Sequence, residues 1–130
     1  MKPLVIALVL FLSFTVQANP LVFDCSVKDF VNLSGLDKDD FFVQSNLKKR
    51  FIISVDEDEI IATFSNGDDS SGVSKFQIYT RLGSTVRAIE RVGLGSIIYS
   101  IVINEIIGEA TISYQTTNSL SVWLLDCQKQ

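Results

Sequence analysis

The stretch FIISVDEDEIIATF, residues 51–64, decides the fold class of this chain. It places two runs of β-branched and aromatic residues on either side of an acidic tetrad, residues 56–59. Runs of this composition favour strands, and a short polar cluster between two of them is typical of a hairpin turn. We therefore predict two antiparallel strands, at 51–55 and 60–64, joined by a tight turn.

Short strands and polar turns continue on both sides of this hairpin. Apolar residues recur with period two in six further runs, residues 21–28, 73–80, 85–92, 96–104, 109–115 and 120–127. Residues 29–49 are less regular and are compatible with a short helical turn or an irregular edge segment. We predict one all-β domain, an antiparallel meander of about seven or eight strands. Two architectures stay open, a closed barrel of the lipocalin or calycin type and a sandwich.

Two cysteines lie near the two ends of this domain. Cys25 shares its predicted strand face with Phe23, and Cys127 shares its face with Trp123 and Leu125. A disulfide requires Cα atoms within about 7 Å of each other. We expect a disulfide between Cys25 and Cys127 that ties the first strand to the last, which is also the condition for closing a meander into a barrel.

The N-terminus of the chain has the order of a secretory signal peptide. Lys2 is followed by an unbroken apolar run over residues 4–12, and residues 16–18 (VQA) form a small-residue cleavage pattern. The apolar run is shorter than the roughly 18 residues of a membrane-spanning helix. We expect cleavage after Ala18 and a periplasmic or extracellular location, in which thiols oxidise. The predicted segments are a cleaved signal peptide, residues 1–18, and a single β domain, residues 19–130.

The composition argues against several classes of catalytic site. The chain has no histidine, which removes Ser-His-Asp and Cys-His nucleophile systems and histidine-based metal sites. Pairing of the two cysteines would remove thiol catalysis as well. The net charge of −4 disfavours nucleic acid and anionic membranes as partners. We predict no enzymatic activity, no cofactor and no metal site, and no membrane span in the mature chain.

Charged clusters fall in the predicted connections between strands. The densest polar segment, residues 66–72, suits an interaction loop, and the sequence leaves calcium binding there open. The basic cluster at residues 48–50 stands directly before an apolar strand, and we interpret it as solvated charge at the strand start. The candidate interaction residues are Asp68, Asp69, Ser70, Ser71 and Lys75.

Four amphipathic aromatic residues lie on the predicted strands, Tyr79, Tyr99, Tyr114 and Trp123. Such side chains line either a ligand pocket or the wall of a barrel. An eight-stranded barrel is just wide enough to be filled by side chains or to hold one small ligand. The supply of isoleucine, leucine, valine and phenylalanine is sufficient to fill it.

The layout resembles in outline that of the periplasmic inhibitors of c-type lysozyme. Those proteins combine a signal peptide, an early cysteine, about eight antiparallel strands and a late cysteine, and they insert a loop with a Ser-Gly motif into the lysozyme cleft. The nearest match in this chain is SSGVSKF, residues 70–76, which lacks the family's fuller motif. The resemblance implies a protein partner in the cell envelope, such as lysozyme or another basic enzyme, which the acidic charge of this chain would attract.

These observations predict a small exported β protein, stabilised by a disulfide, that acts as a non-enzymatic binding or interaction module. Two more specific roles stay open. One is inhibition of lysozyme or of another basic envelope enzyme, and the other is a lipocalin-like carrier role for a small apolar ligand. The sequence does not indicate an oligomeric state.

Overall fold

The computed structural model describes residues 19–34, 39–66, 71–92 and 96–130, so the predicted signal peptide lies outside it. The elements are β1 (Leu21–Ser34), α1 (Asp40–Leu47), β2 (Arg50–Val55), β3 (Glu59–Ser65), β4 (Ser71–Leu82), β5 (Thr85–Val92), β6 (Ile97–Asn104), β7 (Glu109–Gln115) and β8 (Ser119–Lys129). Each strand pairs with the next, and β8 pairs with β1, which closes the sheet into a barrel. The antiparallel all-β meander is confirmed, and the architecture is the barrel rather than the sandwich. No helix in the described ranges is long and apolar enough to cross a membrane.

The hairpin of β2 and β3 forms where the sequence predicts it. Phe51 pairs with Phe64 across the two strands. The acidic turn is one residue shorter than predicted, because Glu59 already belongs to β3. The carbonyl oxygen of Glu59 accepts a hydrogen bond of 2.9 Å from the backbone N–H of Asp56, which closes the turn.

Strand β1 is longer than its alternation predicts, because a bulge lets it continue past an irregular point. Its register against β8 shifts between Val27 and Asp29. Before the bulge the odd-numbered Phe23 and Cys25 are buried, and after it the even-numbered Phe30 is buried. A bulge inserts one residue and so reverses the phase of the alternation. The period-two pattern of the first half of β1 therefore does not predict the second half.

The seam between β1 and β8 carries the predicted disulfide. Cys25 lies directly opposite Cys127 in the ladder. Their sulfur atoms are 2.09 Å apart and their Cα atoms 4.0 Å apart, and both residues are buried. The bond joins first and last strands and, with the ladder, removes the free edges that an open meander would expose.

One end of the barrel, which we call the closed end, carries the β2–β3, β4–β5 and β6–β7 turns. The guanidinium of Arg81 donates hydrogen bonds to the carbonyl oxygens of Asp56 and Glu57 and forms an ion pair of 3.1 Å with Glu105. These bonds tie the three turns together. The interior near this end is filled by aliphatic side chains with no solvent exposure, Ile53, Ile60, Val86, Ile101 and Ile103.

Candidate ligand-binding cleft

The opposite end of the barrel is partly covered by α1. The helix begins after Asp39, whose side chain accepts a hydrogen bond of 2.8 Å from the backbone N–H of Phe42, the usual stabilisation of a helix N-terminus. The ring of Phe42 packs edge-on against Phe30 of β1, with 5.8 Å between ring centroids. The buried residue of α1 is polar, Asn46. A polar contact therefore supplements the apolar ones in holding the helix on the barrel.

The side chain of Asn46 makes two hydrogen bonds, of which one joins the helix to the barrel wall and the other stays within the helix. Its side-chain oxygen accepts a bond of 3.2 Å from Nε1 of Trp123, and its Nδ2 donates one of 2.9 Å to the carbonyl oxygen of Phe42. Asn46 is 4 % exposed and Trp123 is 8 % exposed. A buried donor that loses its partner bears the full cost of its desolvation. The anchor is therefore a structural requirement of this end of the barrel.

Replacement Asn46→Ala is expected to lower the free energy of unfolding by about 1–3 kcal/mol, because the indole N–H of Trp123 would be left buried and unpaired. Urea denaturation followed by tryptophan fluorescence measures the loss directly, since Trp123 is the sole tryptophan of the chain. Gln44→Ala, at an exposed position of the same helix, serves as the control and should change stability by about 0.5 kcal/mol or less. Equal stability of the two variants would show that the anchor is unimportant.

Between α1 and the rim of the barrel lies an open cleft of about 750 Å³, which we call the α1 cleft. An inner cavity of about 50 Å³ adjoins it in the upper part of the barrel. Both spaces are lined by Lys49, Tyr99 and Trp123, which therefore stand at the boundary between them. The inner cavity is otherwise lined mainly by apolar side chains, Phe51, Ala62, Phe64, Phe76 and Ile112.

The wall of this site contains two sets of aromatic rings. Trp123 lies 5.2 Å from Phe30 and 6.4 Å from Phe51, measured between ring centroids. On the other side of the barrel Tyr99 lies 4.5 Å from Tyr114 and 6.4 Å from Phe76. Tilted and edge-on arrangements at these separations are the favourable ones for aromatic pairs. Each set of rings gives the site an apolar surface.

Lys49 brings a positive charge to this aromatic surface. Its Nζ lies 5.2 Å from the ring centroid of Phe64 and 5.2 Å from that of Trp123. Cation–π contacts of this kind contribute about 0.5–2 kcal/mol each, more when the cation is desolvated. Burial lowers the pKa of Lys49 from its ordinary value. Within the described ranges, no carboxylate forms an ion pair with Lys49.

Tyr99 brings a hydroxyl group to the same boundary. Burial raises the pKa of Tyr99, and the nearby Tyr114 and Glu90 raise it further, because both disfavour a phenolate. At neutral pH the hydroxyl is in its neutral form, as in an ordinary tyrosine, and can donate a hydrogen bond. Tyr114 and Ser121 extend the polar side of the α1 cleft.

Of the five predicted interaction residues, the structure describes Ser71 and Lys75, and neither of these two lines the cleft. Asp68, Asp69 and Ser70 lie outside the described residues. Ser71 and Lys75 belong to strand β4 rather than to a loop, and both are exposed. Strand β4 begins earlier than predicted because the ladder with β3 extends to Ser71, which pairs with Ser65. No group of three or more acidic or cysteine side chains comes together to hold a metal ion in the parts of the chain that are described.

The interpretation of residues 48–50 as solvated charge is right for two of its three members. Lys48 and Arg50 are exposed, whereas Lys49 is half-buried among rings. The sequence contains a signal for this difference, because alternation from the buried Phe51 places Lys49 on the same inward face. Of the four aromatic candidates, Tyr99, Tyr114 and Trp123 line the cleft, and Tyr79 is 62 % exposed.

Comparison of the chain with protein-family models, with curated proteins and with solved structures finds no match.

Proposed function

We propose that this protein is a non-enzymatic binding module of the periplasm or the extracellular space, and that it binds its ligand in the α1 cleft. The observation that carries the proposal is the difference between the two ends of the barrel. Arg81 ties three turns together at the closed end, whereas the other end has a cleft of about 750 Å³. That volume lies within the range of about 300–1,000 Å³ that is typical of small-molecule sites.

The filled interior limits where a ligand can lie. Lipocalin-type carriers hold their ligand inside the barrel, but here Ile53, Ile101 and Ile103 occupy the lower interior. The inner cavity of about 50 Å³ is roughly one third of an engineered cavity of about 150 Å³ that binds benzene. A ligand would therefore lie at the mouth, under α1, with at most a short group inside. This narrows the carrier role to small ligands.

Two independent features support the exported location. The disulfide between Cys25 and Cys127 is of the kind that persists in oxidising compartments and is rare in the cytosol. The sequence pattern of residues 1–18 predicts an export signal. Both features suit a stable scaffold that meets its ligand outside the cytoplasm.

The test of the binding site compares two exposed apolar residues at opposite ends of the barrel. Phe41 lines the α1 cleft and is 82 % exposed, and Leu82 lies at the closed end and is 67 % exposed. We expect the oxidised protein, residues 19–130, to bind the uncharged fluorescent probe N-phenyl-1-naphthylamine. Phe41→Ala should weaken this binding about fivefold, which corresponds to roughly 1 kcal/mol of lost apolar contact.

Leu82→Ala is the matched control and should leave the affinity for the probe unchanged. Because both side chains are exposed, neither truncation should disturb the fold. The proposal fails if the wild-type protein does not bind the probe, or if the two variants lose affinity equally.

A further inference from the structure

Lys49 determines which chemical class of ligand the α1 cleft favours. The ammonium group lies between two aromatic rings, and no carboxylate in the described ranges neutralises it. Lys48 also lines the cleft but is exposed to solvent, as is Lys75 of β4. A charge that is withdrawn from water without a counter-ion is unfavourable unless a partner of opposite sign arrives. An anion in the cleft would supply that partner.

The neighbouring hydroxyl suits the same ligand. Tyr99 lines both the cleft and the inner cavity, as Lys49 does. Its phenol is protonated at neutral pH and can donate a hydrogen bond. A carboxylate accepts several hydrogen bonds, and those from charged or hydroxyl donors are among the stronger ones in proteins.

The space beyond these two residues is apolar. Phe51, Phe64 and Phe76 line the inner cavity, and its volume of about 50 Å³ is enough for a short aliphatic group only. The aliphatic core below, including Ile53 and Ile101, leaves no channel for a long acyl chain. The site is thus apolar inside and cationic at its boundary.

We infer that the α1 cleft binds a small organic carboxylate whose acid group contacts Lys49 and whose apolar chain packs against the aromatic rings, with at most its last carbons in the inner cavity. This inference rests on the proposed function, because it names the ligand class of the same cleft. Two lysines line the cleft, and Lys49 is the one that is half-buried and also lines the inner cavity. One such ammonium group suits one carboxylate better than a polyanion, since binding of phosphate groups ordinarily draws on several cationic or N–H donors.

The first experiment uses a pair of ligands that differ in charge and share their shape. Hexanoate and hexanamide are titrated into the oxidised protein at neutral pH, with binding followed by calorimetry and by the fluorescence of Trp123, which stands in the wall of the site. We expect hexanoate to bind at least about tenfold more tightly than hexanamide, as for a hydrogen bond to a charged group. Added sodium chloride should reduce this preference.

The second experiment removes the charge. Lys49→Met keeps an unbranched side chain against the rings and should abolish the tenfold preference for hexanoate, whereas Lys75→Met, at an exposed position of β4 that lines neither space, should leave it intact. Equal affinity for both ligands in the wild-type protein overturns the inference without any variant. A preference that survives Lys49→Met also overturns it.

The uncharged probe separates this inference from the proposed function. If N-phenyl-1-naphthylamine binds at the α1 cleft and hexanoate has no advantage over hexanamide, the cleft is a binding site and the assignment of a carboxylate ligand is wrong. If the probe does not bind at the cleft, the proposed function itself fails.

Discussion

Replacing Cys25 and Cys127 together by alanine is expected to lower the free energy of unfolding by about 4 kcal/mol. The bond closes a loop with a sequence separation of 102 residues, and in the chain-entropy model a loop of this length contributes up to about 4.7 kcal/mol. Alanine is the suitable replacement because both cysteines are buried, where a serine hydroxyl would need a partner. Urea denaturation of the double variant, beside the oxidised wild type, measures the loss.

Chemical reduction provides the control for this prediction. Dithiothreitol should destabilise the wild-type protein by a similar amount and should leave the double variant unchanged. The barrel has a second means of closure, since β1 and β8 also pair from Phe23 to Ser34. A loss below about 1 kcal/mol would show that this ladder closes the barrel without the bond.

The seam also connects the disulfide to the candidate site. Phe30 and Trp123 are partners in the same ladder as the cysteines, and both belong to the aromatic wall. If β1 separates from β8, the wall loses one side and the anchor of Asn46 moves with it. Loss of the disulfide should therefore weaken probe binding as well as stability.

Most of the strands could be predicted because the alternation of apolar and polar residues that indicates a strand is a local property of the sequence. Alternation along residues 109–115 and 120–127 correctly assigns Ile112, Trp123 and Leu125 to the interior. The disulfide could be predicted because both cysteines lie on inward faces near the two ends of the meander. The choice between barrel and sandwich depends on which distant strands pair, and no local pattern carries that information.

The candidate site was harder to predict, because it depends on exceptions to the alternation and on a polar core contact. The bulge after Val27 reverses the phase of β1, so Phe30 does not extend the pattern of Cys25. Helix α1 lacks a fully buried apolar stripe, and its buried residue is Asn46, whose partner Trp123 lies 77 positions away. Helices are predicted mainly from the periodicity of apolar residues, and α1 lacks a clear periodicity of this kind.

Replacement Gly108→Ala is expected to cost about 3 kcal/mol of stability, for two reasons that act together. Gly108 has a φ of 71°, in the left-handed region that costs a residue with a Cβ about 1–2 kcal/mol. A Cβ at this position would also lie 2.3 Å from the carbonyl oxygen of Cys127. The two backbones are in close contact because the N–H of Cys127 donates a hydrogen bond of 2.7 Å to the carbonyl oxygen of Gly108. Thermal or urea unfolding of the variant measures the sum of both effects.

Gly83 separates the two effects, because it has a φ of 59° and a Cβ at its position would have no heavy atom of the described residues within 4 Å, its chain neighbours aside. Gly83→Ala should therefore cost only the conformational part, about 1–2 kcal/mol, and the difference between the variants measures the steric contact with β8. That contact should weaken when β8 is free to move. We expect Gly108→Ala to cost less in the C25A/C127A background than in the wild type, while the cost of Gly83→Ala stays the same in both. Identical costs for Gly108→Ala in the two backgrounds would mean that the ladder alone, and not the disulfide, fixes the position of Cys127.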